Sequence, residues 1–313
     1  MTNNTNLTVG LAQISPIWLD KIATLAKINQ SIKIAADKHC SLVVFSEALL
    51  PGYPFWLDFT NGAQFNSQFQ KSLYAHYVSQ SVDLQKDELS SVLETCKKNN
   101  IACVLGLIEK SNSGHSVYCS LVYINQSGEI KSVHRKLMPT YEERLVWAQG
   151  DGHGLVTHPL GPFTVGALNC WENWMPLART SLYAQGEDLH IAIWPGSLNN
   201  TQDITRFIAK ESRSYVVSVS SVFNSEQVQP IIPELETVKQ NAPDILANGG
   251  SCVANPDGSW LLEPVVNEEG VFTVEIDHQR VREERQNFDP CGHYSRPDVT
   301  QLTVDKTRRN ILN

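Results

Sequence analysis

A cysteine lies where a strand-like apolar run ends and a helix-like run begins. Residues 163–168 are apolar, Asn169 and Cys170 follow, and Pro176 suits the first turn of a helix. A turn between a strand and a helix exposes its residues at a sheet edge, where backbone N–H groups can stabilise a thiolate. Cys170 is therefore a candidate nucleophile, although most free cysteines are small buried hydrophobic residues.

A glutamate follows another apolar run in the same way. Residues 42–45 read LVVF, and Ser46, Glu47 and a turn at Pro51 and Gly52 come next. A carboxylate that is held rigidly and partly removed from water has its pKa raised toward the range that a general base needs. Glu47 is a candidate base. The alternative is a carboxylate that only accepts hydrogen bonds from loop N–H groups.

A lysine supplies a third candidate. Residues 134–140 read HRKLMPT, which places Lys136 shortly before Glu142 and Glu143. An ammonium group can stabilise the negative charge that develops in a transition state. An isolated lysine is ordinarily a solvated surface group, so this segment alone does not decide between the two interpretations.

The elements that must position these residues follow an α/β pattern. Apolar, β-branched runs of strand length occur at residues 7–14, 42–45, 101–108, 119–124, 163–168, 189–194, 215–222 and 271–276. Helical patterns lie between some of them, at residues 17–38, 84–99 and 204–214. Because the later strands alternate less regularly with helices, the pattern favours a layered sandwich over a doubly wound sheet.

A single domain is expected. Residues 255–258 and 267–270 predict hairpin turns, and neither a low-complexity linker nor an internal repeat divides the chain. We expect one domain over residues 1–313, with a core at about 7–280 and a polar tail at about 281–313 that is either loose or docked on a partner subunit.

Composition and charge exclude several classes of partner. The formal charge of -8 gives no basic surface for nucleic acid or an anionic membrane. The start of the chain has no signal-peptide pattern, and no run of about eighteen apolar residues occurs. Seven dispersed cysteines without metal-binding spacing indicate reduced thiols, a cytoplasmic location and no metal site. All but Cys170 are interpreted as packing residues.

Three motifs, taken together and in order, resemble the nitrilase superfamily of carbon–nitrogen hydrolases, and most closely its nitrilase branch. They are FSEALLPGYP at 45–54, HRKLMPT at 134–140 continuing through ERLVWAQGDG at 143–152, and CWENWMP at 170–176. The segment GHYSRPD at 292–298 is also similar. The resemblance covers roughly residues 7–300, which is nearly the whole chain.

The resemblance implies a role for each matching residue. Glu47 would be the general base, Lys136 the cationic stabiliser and Cys170 the nucleophile. Glu143 would be the additional glutamate that supports substrate positioning, although the neighbouring Glu142 is an alternative. No metal and no organic cofactor would be required.

Further residues are expected around the substrate. Tyr53, Trp147, Trp171 and Glu142 are candidate substrate-binding residues, and aromatic walls suit an apolar or aryl group. Trp56 and Trp194 are more readily explained as core packing, and Glu172 is a weaker candidate that orients the start of a helix.

The resemblance also implies an architecture and a reaction. The fold would be an α-β-β-α sandwich, and a homodimer or higher homo-oligomer would stack two of them into four layers. The expected reaction converts a small-molecule nitrile to a carboxylic acid and ammonia through a thioimidate and a thioester on the cysteine. An amidase, an N-carbamoyl hydrolase and a cyanide-hydrolysing enzyme remain alternatives, and so does a catalytically silent assembly protein.

Overall fold

The computed structural model describes residues 5–112 and 114–309, in which the strands form two sheets. The strands are β1 (Asn6–Gln13), β2 (Leu42–Phe45), β3 (Ala102–Lys110), β4 (Val117–Ile124), β5 (Ile130–Arg135), β6 (His158–Leu160), β7 (Phe163–Asn169), β8 (Leu189–Ile193), β9 (Tyr215–Val219), β10 (Val222–Asn224), β11 (Ile245–Ala254), β12 (Trp260–Val266) and β13 (Gly270–Asp277).

The two sheets have a similar arrangement of parallel and antiparallel strands. The first runs in the order β13-β1-β2-β3-β4-β5, and the second runs β10-β11-β9-β8-β7-β6 with β12 paired to β11. Each has three central parallel strands, β1-β2-β3 in the first and β7-β8-β9 in the second. The flanking pairs are antiparallel, which explains why the later strands of the sequence do not alternate with helices.

Eight α-helices lie in the described part of the chain, and several of them pack on the outer faces of the sheets. They are α1 (Lys21–Asp37), α2 (Trp56–Phe59), α3 (Gln68–Gln80), α4 (Ser90–Asn99), α5 (Pro176–Tyr183), α6 (Leu198–Ser212), α7 (Pro233–Asn241) and α8 (His278–Arg285). Local sequence sets their starts: the Asp20 side chain accepts a hydrogen bond from the N–H of Ala23, and Pro176 is the first residue of α5.

Alternation along the strands divides the apolar side chains between two faces. In β2, Leu42 and Val44 belong to the core between the sheets, whereas Val43 and Phe45 pack with the helical layer that contains α1 and α4. On the second sheet, Val216 packs outward with residues of α6 such as Ile208. Full burial of such a side chain contributes roughly 1.5–3 kcal/mol. The expected α-β-β-α sandwich is confirmed.

The carboxyl-terminal segment packs on its own chain. Arg308 donates to the Asp151 carboxylate over 3.0 Å and to the Val133 carbonyl over 2.6 Å, and the backbone N–H of Arg309 also reaches Asp151 over 3.1 Å. The sequence did not show this contact, because a charged tail has no apolar periodicity. Among the described residues, the helices are too short or too polar to cross a membrane.

Candidate active site

Glu47 is held in the tight turn that follows β2. Its backbone N–H donates to the Trp194 carbonyl over 3.2 Å, so the turn is tied to the second sheet. A Cβ at Gly106 in β3 would lie 2.2 Å from the Ser46 carbonyl oxygen, so only glycine allows this close approach. Glu47 is 1% exposed, and the structure therefore confirms a buried carboxylate at the end of the strand.

Lys136 directly follows β5 and is 1% exposed. Its backbone N–H donates to the Cys119 carbonyl over 2.8 Å, and its carbonyl accepts from the N–H of Gly150 over 2.8 Å. Its Nζ lies 2.9 Å from Oε1 of Glu47 and 2.7 Å from Oε2 of Glu143. The lysine is therefore not a solvated surface group but the centre of a buried ion triad.

Glu143 is oriented by the short 3-10 turn Tyr141–Leu145 that contains it. The Thr140 side chain and the Glu143 side chain form a capping box, in which the N–H of Thr140 donates to Oε2 of Glu143 over 2.6 Å. The same oxygen accepts from Lys136. Of the two adjacent glutamates, the structure places Glu143 at Lys136, whereas Glu142 is half-buried and further out.

Cys170 lies at the sharp turn between β7 and a 3-10 turn, Cys170–Trp174, which leads into α5. Its φ of +45° lies in the left-handed region, which non-glycine residues adopt only where the surroundings impose it. The Asn173 amide donates to the Cys170 carbonyl over 2.8 Å. Cys170 is only 2% exposed, so the expectation of an exposed thiol was wrong: the residue belongs to a buried cluster that includes Ala192 and Trp194.

The three segments meet across the two sheets. One ligand-type atom each from Glu47, Glu143 and Cys170 lie within 4.8 Å of one another. These atoms could surround a cation, and the Lys136 ammonium group already contacts both carboxylates as a cation would. The arrangement therefore combines a thiol, a carboxylate with a free oxygen and a fixed positive charge, because Oε2 of Glu47 has no hydrogen-bond partner among the described residues.

Burial and the neighbouring charges shift the pKa values of Glu47, Cys170 and Lys136. Burial raises the pKa of Glu47 from 4.5 to about 7; the charge of Lys136 opposes the rise and that of Glu143 adds to it. Burial, followed by the charge of Glu47, also raises the pKa of Cys170 well above its ordinary range, so the resting sulfur is a thiol. Burial opposes the charge of Lys136, but the negative charges that face it, on Cys170 when it is a thiolate and on Glu47 and Glu143, raise its pKa overall.

The Tyr53 hydroxyl connects this group to a cavity. It lies 3.0 Å from Oε1 of Glu143 and 3.1 Å from Oε1 of Glu142. Glu142 lines an open cavity of about 470 Å³ together with Leu57, Asp58, Tyr141 and Leu145, among others. Glu142 is thus within reach of a molecule in this cavity, and Tyr53 links Glu142 to Glu143.

Some of the tryptophans lie next to the site residues, and others lie in the core. The Trp147 ring centre lies 5.4 Å from the Nζ of Lys136, and its indole N–H donates to the Tyr77 hydroxyl over 3.2 Å. Trp171 is 50% exposed next to the cysteine. Trp56 and Trp194 are fully buried, as predicted for core residues.

Two cysteines differ from the prediction made from the sequence. The Cys119 thiol lies 3.5 Å from Oε1 of Glu47, and Cys291 is exposed, so the interpretation of these two cysteines as mere packing residues was incomplete for Cys119 and wrong for Cys291. Residue type gives no signal for the contact of Cys119, because only the alternation of β4 directs its side chain toward Glu47.

Comparison with known protein families identifies the class of protein to which this chain belongs. The family model for carbon–nitrogen hydrolases matches residues 8–286. The chain belongs to the carbon–nitrogen hydrolase family, and it is a hydrolase that acts on carbon–nitrogen bonds. A carbon–nitrogen hydrolase from Helicobacter pylori G27 has the same fold, with a TM-score of 0.70 at 20% identity over 95% of this chain and 97% of that one.

Sequence identity to known proteins identifies the branch of the family to which the chain belongs. Nitrilase 2 of Arabidopsis thaliana is 34% identical over 310 residues, which cover 98% of this chain and 91% of the plant protein. An aliphatic nitrilase of Rhodococcus rhodochrous is 33% identical over 309 residues, which cover 95% and 79% of the two chains. Within its family, the chain belongs to the nitrilase branch.

Proposed function

We propose that this protein hydrolyses a small-molecule nitrile to the carboxylic acid and ammonia. The observation that carries the proposal is the buried thiol of Cys170 beside the ion triad of Glu47, Lys136 and Glu143, in a chain of the nitrilase branch. In this proposal Glu47 is the base, Cys170 the nucleophile, Lys136 the electrostatic stabiliser and Glu143 the residue that holds Lys136.

The first half of the reaction forms a covalent thioimidate. A nitrile carbon is a modest electrophile, so the sulfur must attack as a thiolate. Glu47 takes the thiol proton as the carbon–sulfur bond forms, and the nitrile nitrogen gains negative charge. The ammonium group of Lys136, held by Glu47 and Glu143, stabilises that charge, and Glu47 then returns the thiol proton to the nitrogen.

The second half uses two water molecules. Glu47 takes a proton from the first water, which adds to the thioimidate carbon to give a tetrahedral intermediate. Protonation of its nitrogen allows ammonia to leave and yields a thioester on Cys170. A second water, again activated by Glu47, adds to the thioester carbon; the carbon–sulfur bond breaks, the acid leaves, and Glu47 returns the proton to the sulfur. A buried carboxylate with a pKa of about 7 can accept and return protons in each step at neutral pH.

Tyr53, Trp147, Trp171 and Glu142 are proposed to contact the substrate. Tyr53 and Glu142 lie between the ion triad and the cavity, and the Trp147 ring faces Lys136. The aromatic side chains suit an apolar or aryl group, whereas Glu142 adds a polar contact at the mouth of the cavity.

The test is ammonia release from aliphatic, aryl and arylaceto nitriles and from the matching amides, with Cys170→Ala as the variant. We expect nitrile turnover in the wild type and none in Cys170→Ala. Cys252→Ala is a matched control, because Cys252 is equally buried but lies in β11 away from the ion triad. Turnover of amides alone would replace the proposal with an amidase.

We also propose a single domain over residues 1–313, a cytoplasmic location and a homodimer that stacks two sandwiches into four layers. In support of the dimer, the segment after Cys170 exposes large apolar side chains: Trp174 is 43% exposed and Leu177 68%. Light scattering tests the assembly, and a monomeric mass at micromolar concentration would contradict it.

A further inference from the structure

Lys136 and Cys170 reach the site from different sheets. Lys136 follows β5 of the first sheet, and Cys170 follows β7 of the second. Apolar packing between sheets is not directional, so it does not by itself fix the position of one side chain against the other. A polar contact that joins the two segments would do so.

The Glu172 carboxylate makes contacts of this kind with both segments. From the first sheet, it accepts hydrogen bonds from the backbone N–H of Leu137 over 2.5 Å and from Nε2 of His134 over 3.1 Å. From the second, it accepts from the backbone N–H of Asn169 over 2.9 Å. Its donors therefore lie on both sides of Lys136 and directly before Cys170.

Glu172 is ionised in this position. Its side chain is fully buried, which opposes ionisation, but the contacts with His134, Leu137 and Asn169 lower its pKa overall. Because its two oxygens are acceptors, Nε2 of His134 must be the donor. We propose, on the basis of the nitrile hydrolysis proposed above, that Glu172 is a positioning residue that aligns Lys136 with Cys170 across the two sheets.

Glutamine at this position cannot make the same contacts. Oε1 of Glu172 accepts from Leu137 and Oε2 from Asn169, so the amide group of Gln would face one of these two backbone donors. One segment would lose its acceptor and move. A shift of about 1 Å at a reacting group can cost 10²-fold in rate.

The matched control is Glu109→Gln. Glu109 is also a buried carboxylate, and it binds Arg135 over 3.0 Å and Ser120 over 2.7 Å. Its partners lie in β4 and β5, and Glu109 itself lies in β3, so all three belong to the first sheet. Both substitutions remove a buried charge, but only Glu172→Gln alters contacts that join the segment of Lys136 to the segment of Cys170.

The experiment compares the steady-state kinetics and melting temperatures of the two variants and the wild type. We expect kcat for the best nitrile to fall about 10- to 100-fold in Glu172→Gln with KM within about 3-fold, and kcat to stay within about 3-fold in Glu109→Gln. An unchanged kcat in Glu172→Gln, or an equal loss in Glu109→Gln, would overturn the proposal.

A second readout does not depend on the substrate. Iodoacetamide alkylation of Cys170, followed by peptide mass spectrometry, reports how well Lys136 supports the thiolate. We expect slower alkylation in Glu172→Gln than in Glu109→Gln. If the wild type hydrolysed no nitrile, the proposed function would fail, yet this comparison would still decide the positioning role: equal rates would refute it.

A milder pair of variants covers the case in which Glu172→Gln does not fold. His134→Leu removes one donor to Glu172, whereas His134→Gln retains an amide N–H near the position of Nε2. We expect a lower kcat and slower Cys170 alkylation in His134→Leu than in His134→Gln. Equal values in the two variants would count against the proposal.

Discussion

Glu47→Gln should separate the stability of the protein from its activity. In the folded protein, burial raises the pKa of this carboxyl from 4.5 to about 7. The folded state therefore binds a proton more tightly than the unfolded state, and ionisation of Glu47 makes stability fall as pH rises from about 4.5 to 7. Glutamine does not titrate, so the stability of the variant does not fall in this way as the pH rises.

The magnitude follows from the two pKa values. Between pH 5 and pH 8, a shift from 4.5 to about 7 lowers the free energy of unfolding of the wild type by about 2–3 kcal/mol. Titrating groups that lie away from Glu47 contribute equally to both proteins and cancel in the comparison, and Cys170 and Lys136, whose pKa values lie well above their ordinary range, do not titrate in the folded protein between these pH values. Relative to the wild type, the free energy of unfolding of Glu47→Gln should therefore gain about 2–3 kcal/mol between these pH values, while the nitrile turnover of the variant is abolished at both.

The assay is urea unfolding of both proteins at pH 5 and pH 8, at one protein concentration, with ammonia release measured in parallel. The quantity compared is the change in unfolding free energy between pH 5 and pH 8. If this change differed by less than about 0.5 kcal/mol between the two proteins, Glu47 would titrate in the folded protein as it does in the unfolded chain. The reasoning that burial prepares this carboxyl as a base would then be refuted.

The remaining predictions concern pH, charge and the tail. Between pH 5 and 9, kcat/KM should rise through about pH 7, because Glu47 must be ionised to accept the thiol proton, and a flat profile would contradict this role. Lys136→Met should lower kcat about 10²–10³-fold and unfolding free energy by about 3–5 kcal/mol, since it leaves two buried carboxylates unpaired; activity near that of the wild type would exclude Lys136 as the stabiliser. Arg308→Ala should cost about 1–3 kcal/mol in urea unfolding because Asp151 is buried and loses this partner, whereas Arg296→Ala, which removes an exposed pair, should change little.

Much of the fold and the site could be predicted because the signals are local. The strand at residues 42–45 and the run that leads to Cys170 are short apolar segments, and both form strands with the predicted residue at the following turn. Pro176 begins α5 as expected, because a first-turn proline lacks only an N–H that has no helical partner.

The parts that could not be predicted depend on contacts between distant segments. No local pattern indicates that Glu143, seven residues after Lys136, turns back to bind it while Glu142 points to a cavity. Likewise, Cys119 is an ordinary apolar residue of β4 until the sheet places its thiol against Glu47. The α8 helix was missed because its residues are mostly charged and only Val281 is buried.

The central claim is that Cys170 carries the substrate covalently during nitrile hydrolysis. The most direct measurement is rapid acid quench of the enzyme during turnover of a good nitrile, followed by peptide mass spectrometry. The account predicts a transient acyl or imidoyl adduct on Cys170 in the wild type, and neither adduct nor ammonia with Cys170→Ala. Ammonia release without an adduct on Cys170, or sustained turnover by Cys170→Ala, would contradict it.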